Sequence, residues 1–265
     1  MPPGPSRRLF EPRYELDYFP AADVLRFSEP GAVGICEAGT STIRIVVRPD
    51  DAPAAFAGSH LFLTLSLLEL LKRRGRFAIH AGGVARDGRA ILIAGPTGAG
   101  KTTLVVAASL DGFELLGDDL VLLRHHPGED SIRLAAFPDE IDLTPSTSKF
   151  FPEIERLLVG VKPGASGKRS LHPLDIPGVR VAWNTRPAAL VFPTALRATP
   201  ASLREISPDE ALARLVANVV RTERAATQRH LDAFAALVRS TAAFELDIAD
   251  PREGPPLFSE ILRTS

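Results

Sequence analysis

Residues 79–103 read "IHAGGVARDGRAILIAGPTGAGKTT" and combine two apolar runs, a tight turn and a glycine-rich loop. Asp87-Gly88 separates the two runs, and Asp-Gly between apolar stretches is a strong signal for a two-residue hairpin turn. The second run leads directly into "GPTGAGKT" at 95–102, which has the spacing of a phosphate-binding loop. The stretch therefore predicts two antiparallel strands followed by an anion-binding loop.

The loop predicts how a nucleotide would be held. Glycines let successive backbone N–H groups turn inward onto a phosphate, at the positive end of the helix predicted for "KTTLVVAASLDG". Lys101 adds a charge for the β- and γ-phosphates, and the Thr102 hydroxyl suits Mg²⁺. The predicted cofactors are therefore ATP, or another nucleoside triphosphate, and Mg²⁺. The predicted nucleotide-binding residues are Gly95, Pro96, Thr97, Gly98, Ala99, Gly100, Lys101, Thr102 and Thr103.

A pair of acidic residues follows in "FELLGDDLVLL", where Asp118 and Asp119 lie 17 and 18 residues beyond Lys101. One carboxylate at a strand end commonly holds the magnesium of a phosphate-binding loop, and a second can accept a proton from an attacking hydroxyl. Gly-Asp-Asp is also good turn chemistry, so a purely structural turn between two strands is the alternative. The apolar surroundings of the pair favour the functional interpretation.

His80 stands alone among small and apolar residues, as a buried structural histidine would. The hairpin gives another interpretation, because a two-residue turn at Asp87-Gly88 pairs Arg86 with Arg89. Continuing this pairing backwards brings His80 opposite Gly95, at the start of the phosphate loop. A bulge at Gly82-Gly83 would shift the register by one residue. We expect His80 beside the phosphates in either register.

The histidine-bearing strand, the hairpin, the GxxGxGK[ST] loop and the Asp-Asp pair together resemble the C-terminal catalytic domain of HPr kinase/phosphorylase. The resemblance covers roughly residues 75–125, and that family shares its core with phosphoenolpyruvate carboxykinase. It implies an α/β fold in which a mixed β-sheet with flanking helices forms the phosphate-loop core. The rest of the sequence predicts a small β-rich N-terminal segment and C-terminal helices around that core.

The resemblance also implies roles for individual residues. Lys101 would bind the β/γ-phosphates, and Thr102 would contact Mg²⁺. Asp118 would be the base toward a serine hydroxyl, with Asp119 assisting the metal, although these two could exchange roles. His80 would lie near the transferred phosphate.

The layout is similar to stand-alone HPr-kinase-like proteins from bacterial gene clusters for modified peptides. The expected acceptor is therefore a serine in a peptide or small protein, with a lasso-peptide precursor as one candidate. A small hydroxylated metabolite such as free serine is a second possible acceptor, and a nucleotide-dependent switch without chemistry is a third hypothesis. Absence of an Asn-Lys-x-Asp motif argues against a Ras-like GTPase. Homo-oligomer formation is left open.

The composition of the chain argues against some classes of binding partner. The 265 residues are 45% hydrophobic and 24% charged, as in folded globular proteins. With 31 basic and 32 acidic residues the chain has no general attraction to nucleic acid or to an anionic membrane. Without a signal-like N-terminus, it is expected in the cytoplasm. One cysteine excludes an intrachain disulfide.

The chain is predicted to divide into a β-rich segment at 1–58 and a catalytic domain at 59–265. Between them, "SHLFLTLSLLELLKRRG" predicts a helix from Ser59 to about residue 74. After residue 127 the sequence is rich in Pro, Gly and Ser, which predicts loops between short elements. In "SGKRSLHP" three basic side chains could close over phosphates, although a solvated loop is the simpler interpretation. These are Lys168, Arg169 and His172.

Overall fold

A computed structural model gives the fold. It describes residues 2, 4–10, 15–48, 52–125, 132–164, 166–194, 201–217, 219 and 221–264, without the side chains of 9, 10 and 52–61. The loop predicted at "HPGED" lies outside the described residues. By their internal contacts the residues form two compact units, Met1–Phe77 with Val219–Asp232 and Ala78–Asn218 with Ala233–Ser265. Within the described residues, no helix is both long and apolar enough to cross a membrane.

The first unit contains an antiparallel sheet whose five strands follow one another in chain order. The strands are β1 (Arg7–Phe10), β2 (Glu15–Phe19), β3 (Val24–Glu29), β4 (Ala32–Glu37) and β5 (Thr42–Val47), and the helix α1 (Ala52–Arg73) follows. In β4, buried and less buried residues alternate, as in a strand with one covered face. Phe27 stacks on Phe62 of α1, with ring centroids 5.4 Å apart. The β-rich N-terminal segment predicted from the sequence is therefore present.

The start of α1 differs from the prediction. The helix begins at Ala52, seven residues before the expected start at Ser59. The physical reason lies in "APAAFA" at 52–57: alanine has the highest helix propensity, and a proline is tolerated in the first turn of a helix. The domain boundary predicted at 58–59 thus falls inside α1, whereas the internal contacts divide the chain after Phe77.

The end of α1 carries a buried ionic cluster in the first unit. Glu69 is the central acceptor, and it receives hydrogen bonds from Lys72, Arg73 and Thr222. Arg73 also donates to both carboxylate oxygens of Asp23. The charged groups of Glu69 and Lys72 are therefore both buried, and they are paired with each other. Buried charges are tolerated in this form.

The second unit is built on a six-stranded mixed sheet in the order β15–β16–β14–β8–β7–β9. Strands β8, β14 and β16 are parallel, while β7 and β15 run antiparallel to their neighbours. The strands are β7 (Ala81–Arg86), β8 (Arg89–Ala94), β9 (Glu114–Gly117), β14 (Arg186–Pro193), β15 (Ser202–Glu205) and β16 (Ala242–Asp247). The central strands are buried on both faces, which explains their continuous apolar runs. The fold is therefore α/β with a mixed sheet, as predicted.

The remaining strands form smaller sheets. They are β6 (Arg76–Ile79), β10 (Val121–Arg124) and β11 (Arg133–Ala136), in the order β11–β10–β6, and β12 (Ile141–Leu143) with β13 (Arg169–Leu171). The further helices are α2 (Lys101–Leu110), α3 (Pro145–Ser148), α4 (Pro152–Leu157), α5 (Pro208–Val216), α6 (Arg224–Ser240) and α7 (Gly254–Thr264). The short strands β12 and β13 come from sequence predicted to be mainly loop.

Candidate functional site: a phosphate loop with two unlike carboxylates

The phosphate loop joins the end of β8 to the start of α2. Gly98 and Gly100 have φ of 85° and 93°, values that favour glycine, and no atom lies within 4 Å of a Cβ built on either residue. Gly100 is the N-cap of α2 and supplies no side-chain cap. The first N–H groups of α2 therefore have no side-chain cap, and an anion in the loop could accept their hydrogen bonds.

Lys101 lies inside the loop that precedes it. Its Nζ donates to the carbonyl oxygens of Gly95, at 2.9 Å, and of Pro96, at 3.3 Å. Burial lowers the pKa of Lys101, and the nearby charges of Asp119 and Asp118 oppose that shift. Because these loop partners are neutral carbonyls, the ammonium charge remains available to a phosphate entering the loop.

Asp118 is the buried member of the acidic pair, with 7% of its surface exposed. Thr102 Oγ1 donates to Asp118 Oδ2 over 3.1 Å, whereas Oδ1 is buried without a hydrogen-bond partner among the described residues. Burial raises the pKa of Asp118 to about 7, although the bond from Thr102 works against this shift. A buried, unsatisfied carboxylate oxygen beside a threonine hydroxyl is what a hard cation such as Mg²⁺ would complete.

Asp119 has the opposite surroundings, since 73% of its side chain is exposed. His80 Nδ1 lies 3.2 Å from Asp119 Oδ1 and 3.1 Å from its backbone oxygen. Burial opposes ionisation of Asp119, but the hydrogen bond and charge of His80, together with Lys101, lower its pKa overall. The two adjacent carboxyl groups therefore differ in protonation: Asp119 is ionised at neutral pH, and Asp118 is balanced between its two forms.

The hairpin has the register expected from the Asp87-Gly88 turn. Strands β7 and β8 pair from Arg86↔Arg89 back to Ala81↔Ala94 without a shift, so His80 and Gly95 follow immediately beyond the last pair. The side chain of His80 is 32% exposed and contacts Asp119, which excludes a histidine enclosed in the core. The bulge considered at Gly82-Gly83 does not shift this pairing, whereas the pairing of β7 with β9 has an irregularity between Gly83 and Val84.

Glycines bring the acidic pair close to α2. A Cβ on Gly82 would lie 2.5 Å from Val105 Cγ2 and 3.1 Å from the carbonyl oxygen of Asp118. A Cβ on Gly117 would lie 2.2 Å from the carbonyl oxygen of Leu120, across the turn that carries the two aspartates. The approach of β7 to α2 therefore requires glycine at position 82, and the tight turn that carries the aspartates requires glycine at position 117, roles that the sequence pattern did not reveal.

Sequence reasoning also missed an acidic residue near this site. Asp142 on β12 is one of the charges that raise the pKa of Asp118, and Ser170 on β13 donates to Asp142 over 2.7 Å. Of the three basic candidates in "SGKRSLHP", Lys168 pairs with Asp142, whereas Arg169 pairs with Glu155 and His172 caps a short 3₁₀ turn. No motif signals Asp142, because it lies on a three-residue strand between Pro-rich loops.

The described residues contain no cluster of three or more His, Cys, Asp or Glu side chains arranged to hold a metal. This does not conflict with the fit of Asp118 and Thr102 to magnesium. Mg²⁺ usually keeps several waters and is bound through one or two carboxylates together with substrate phosphates.

Comparisons with known proteins include a distant structural likeness. No family model and no curated protein matches the chain. Among solved structures, the HPr(Ser) kinase/phosphatase from Coxiella burnetii matches over 70% of this chain and 88% of its own, with 14% sequence identity and a TM-score of 0.37. A likeness of this size carries no functional conclusion.

Proposed function

We propose that this protein is a Mg²⁺-dependent kinase that transfers the γ-phosphate of ATP, or of another nucleoside triphosphate, to a serine hydroxyl of a peptide or small protein. One observation carries the proposal: two adjacent carboxylates with opposite surroundings lie at a phosphate loop. Asp118 is buried against Thr102, and Asp119 is exposed against His80. Nucleotide binding alone would not require the second, exposed carboxylate.

Thr102 and Asp118 would hold the magnesium ion. Thr102 Oγ1, in the first turn of α2, donates to Asp118 Oδ2. Asp118 Oδ1 has no hydrogen-bond partner among the described residues. The ion would neutralise charge on the β- and γ-phosphates and would keep Asp118 ionised. This reverses the assignment expected from the sequence, in which Asp119 assisted the metal and Asp118 was the base.

Asp119 would be the base toward the acceptor. Its carboxylate is exposed to an incoming hydroxyl and is ionised because its pKa is lowered. The serine oxygen would form a bond to the γ-phosphorus while the bond to the β,γ-bridging oxygen breaks. The serine proton would pass to Asp119, and the nucleoside diphosphate would leave. His80 would orient Asp119 through the hydrogen bond at Nδ1.

The acceptor class rests on the resemblance of residues 75–125, and an exposed base suits a serine presented on a flexible chain. A precursor of a lasso peptide is the specific candidate. A small hydroxylated metabolite would use the same core, and a switch without chemistry would bind nucleotide but transfer nothing. These alternatives are separate outcomes of one assay.

The assay would incubate the purified protein with Mg²⁺ and γ-labelled ATP or GTP, together with candidate precursor peptides or free serine. Asp119→Asn is expected to lower transfer by on the order of 10²–10⁴-fold while nucleotide still binds, as loss of a general base does. Asp175→Asn, an exposed aspartate elsewhere in the second unit, is the matched control. Label that never reaches an acceptor, or an unaffected Asp119→Asn variant, would refute the kinase proposal.

A further inference from the structure

Lys168 lies beside the candidate site although no motif marks it. It immediately precedes β13, whose pairing with β12 places Ser170 opposite Asp142. Lys168 Nζ is 3.9 Å from Asp142 Oδ2, at the outer limit of an ion pair, and the lysine side chain is 39% exposed. The contact is therefore loose and solvated, and such pairs contribute little to stability.

Asp142 is the fixed member of this pair. Ser170 Oγ donates to Asp142 Oδ1 over 2.7 Å, from the neighbouring strand. The backbone of Lys168 is also fixed, because Gly164 N donates to the carbonyl oxygen of Lys168 over 2.8 Å. The side chain beyond that backbone makes the 3.9 Å contact with Asp142. Rotation of the lysine side chain is therefore enough to move its charge.

The strand that carries Asp142 is attached to the phosphate-loop helix. It leads into α3, where Thr147 Oγ1 lies 3.2 Å from Thr103 Oγ1 in the first turn of α2. Electrostatic effects agree with this position. The charge of Asp142 contributes to the raised pKa of Asp118, and the charge of Lys168 contributes to the lowered pKa values of Lys101 and Asp119.

We infer that Lys168 is a second phosphate-binding cation, which leaves Asp142 and contacts the terminal phosphate when a nucleoside triphosphate is bound. The inference rests on the proposed function, since it assigns a further ligand to the phosphate that is transferred. A terminal phosphate offers more negative charge and more acceptor oxygens than one exposed carboxylate, so the exchange of partners is favourable. In the absence of nucleotide, Asp142 keeps the lysine close to the site.

Binding measurements test this without an identified acceptor. Titration calorimetry with Mg²⁺ would compare the non-hydrolysable β,γ-imido analogue of ATP with ADP, which lacks the terminal phosphate. Lys168→Ala is expected to weaken binding of the analogue about tenfold and of ADP by less than about twofold. Lys162→Ala is the matched control, because Lys162 is an exposed lysine on the same segment and is expected to leave both affinities unchanged.

A second variant separates phosphate contact from simple neutralisation of Asp142. If Lys168 only cancels the charge of Asp142, the effect of Lys168→Ala should disappear when Asp142→Asn is also present. If Lys168 contacts the phosphate, the loss of about tenfold should persist in the double variant. Asp142→Asn alone is expected to tighten binding of the analogue, because it removes a competing carboxylate.

The outcomes distinguish this inference from the proposed function. Equal losses for the analogue and ADP, or no loss for either, would overturn the role of Lys168 and leave the kinase proposal standing. Loss of the effect in the Asp142→Asn background would also overturn it. A wild-type protein that binds neither nucleotide would remove the proposed function and the inference together.

Discussion

Asp118 and Asp119 are adjacent in the chain, yet their carboxyl groups have different surroundings, because a turn directs the side chain of Asp118 inward and that of Asp119 outward. Thr102 approaches the buried carboxyl group, and His80 approaches the exposed one. A shared residue type therefore supports two different roles. Sequence could identify the pair, but it could not divide the roles, because burial depends on residues from other strands.

The buried carboxyl group predicts how stability depends on pH. The folded-state pKa of Asp118 is about 7, well above its ordinary value of 3.8, so folding favours the protonated form. This contribution to stability is complete below about pH 4 and is lost as pH rises through about 7. Without metal, Asp118→Asn should therefore gain stability relative to wild type between about pH 4 and pH 8, by on the order of a few kcal/mol.

Urea unfolding in chelator at about pH 4 and about pH 8 measures this difference. The same experiment with Mg²⁺ is a useful control, since the ion should stabilise wild type at the higher pH and leave the variant unaffected. An equal difference between wild type and variant at both pH values would contradict the raised pKa.

His80 gives a second prediction at this scale. Its hydrogen bond lowers the pKa of Asp119, so in His80→Ala that pKa should rise. Because the proposed base must be ionised, the acidic limb of the pH–rate profile should move to higher pH. Transfer at neutral pH should fall by about tenfold or more, because the hydrogen bond that orients Asp119 is lost. His125→Ala, at the other end of β10 from the acidic pair, is the control. An unshifted profile would mean that His80 does not act through Asp119.

At the scale of elements, packing between β7 and α2 depends on the missing side chain of Gly82. In Gly82→Ala the new methyl group would meet Val105 and the carbonyl of Asp118, so the helix or the acidic turn must shift. We expect a loss of about 1–3 kcal/mol in stability and weaker nucleotide binding. Denaturant unfolding and nucleotide titration would measure both effects.

Gly39→Ala is the control for that substitution, because nothing lies within 4 Å of a Cβ at Gly39 and its φ lies outside the left-handed range. Its stability should stay within about 0.5 kcal/mol of wild type. If Gly82→Ala behaves in the same way, close packing is not what fixes the helix against β7.

Elements with strong local signals could be predicted from the sequence, and those defined by distant partners could not. The Asp87-Gly88 turn sets the register of β7 and β8 by itself, and Ser207 caps α5 directly before Pro208, which is a strong local signal for a helix start. By contrast, β12 and β13 each have three residues and pair with each other, although two helices and a loop separate them in the chain. Asp142 lies on β12, so no local signal marked it, whereas Lys168, directly before β13, could be identified only as one of three basic side chains in "SGKRSLHP".

At the scale of the whole molecule, the ionic cluster and the phosphate site belong to different units. Glu69→Gln would leave Lys72 and Arg73 buried with less compensating charge, at a cost of about 3–5 kcal/mol. Nucleotide affinity at a temperature where the chain stays folded should not change, because the site residues lie in the second unit. Denaturant unfolding and calorimetry would test the two statements separately.

The exposed pair between Glu15 and Arg8 provides the comparison for that substitution. Glu15→Gln should cost less than about 1 kcal/mol, since solvent screens this pair. Similar losses in the two variants would show that burial of Glu69 does not set the cost, and a large fall in nucleotide affinity would show that the units are coupled.

The unbroken pairing of β7 with β8 has a consequence for length variation in this hairpin. Side chains on a strand alternate between faces, so the position of His80 depends on counting back from the turn through Ala81–Arg86. One residue inserted or deleted within that strand would turn the histidine away from Asp119 while the hairpin still formed. A change of two residues would restore the face but move the histidine by about 7 Å along the strand, so functional relatives of this chain should keep the length of this strand unchanged.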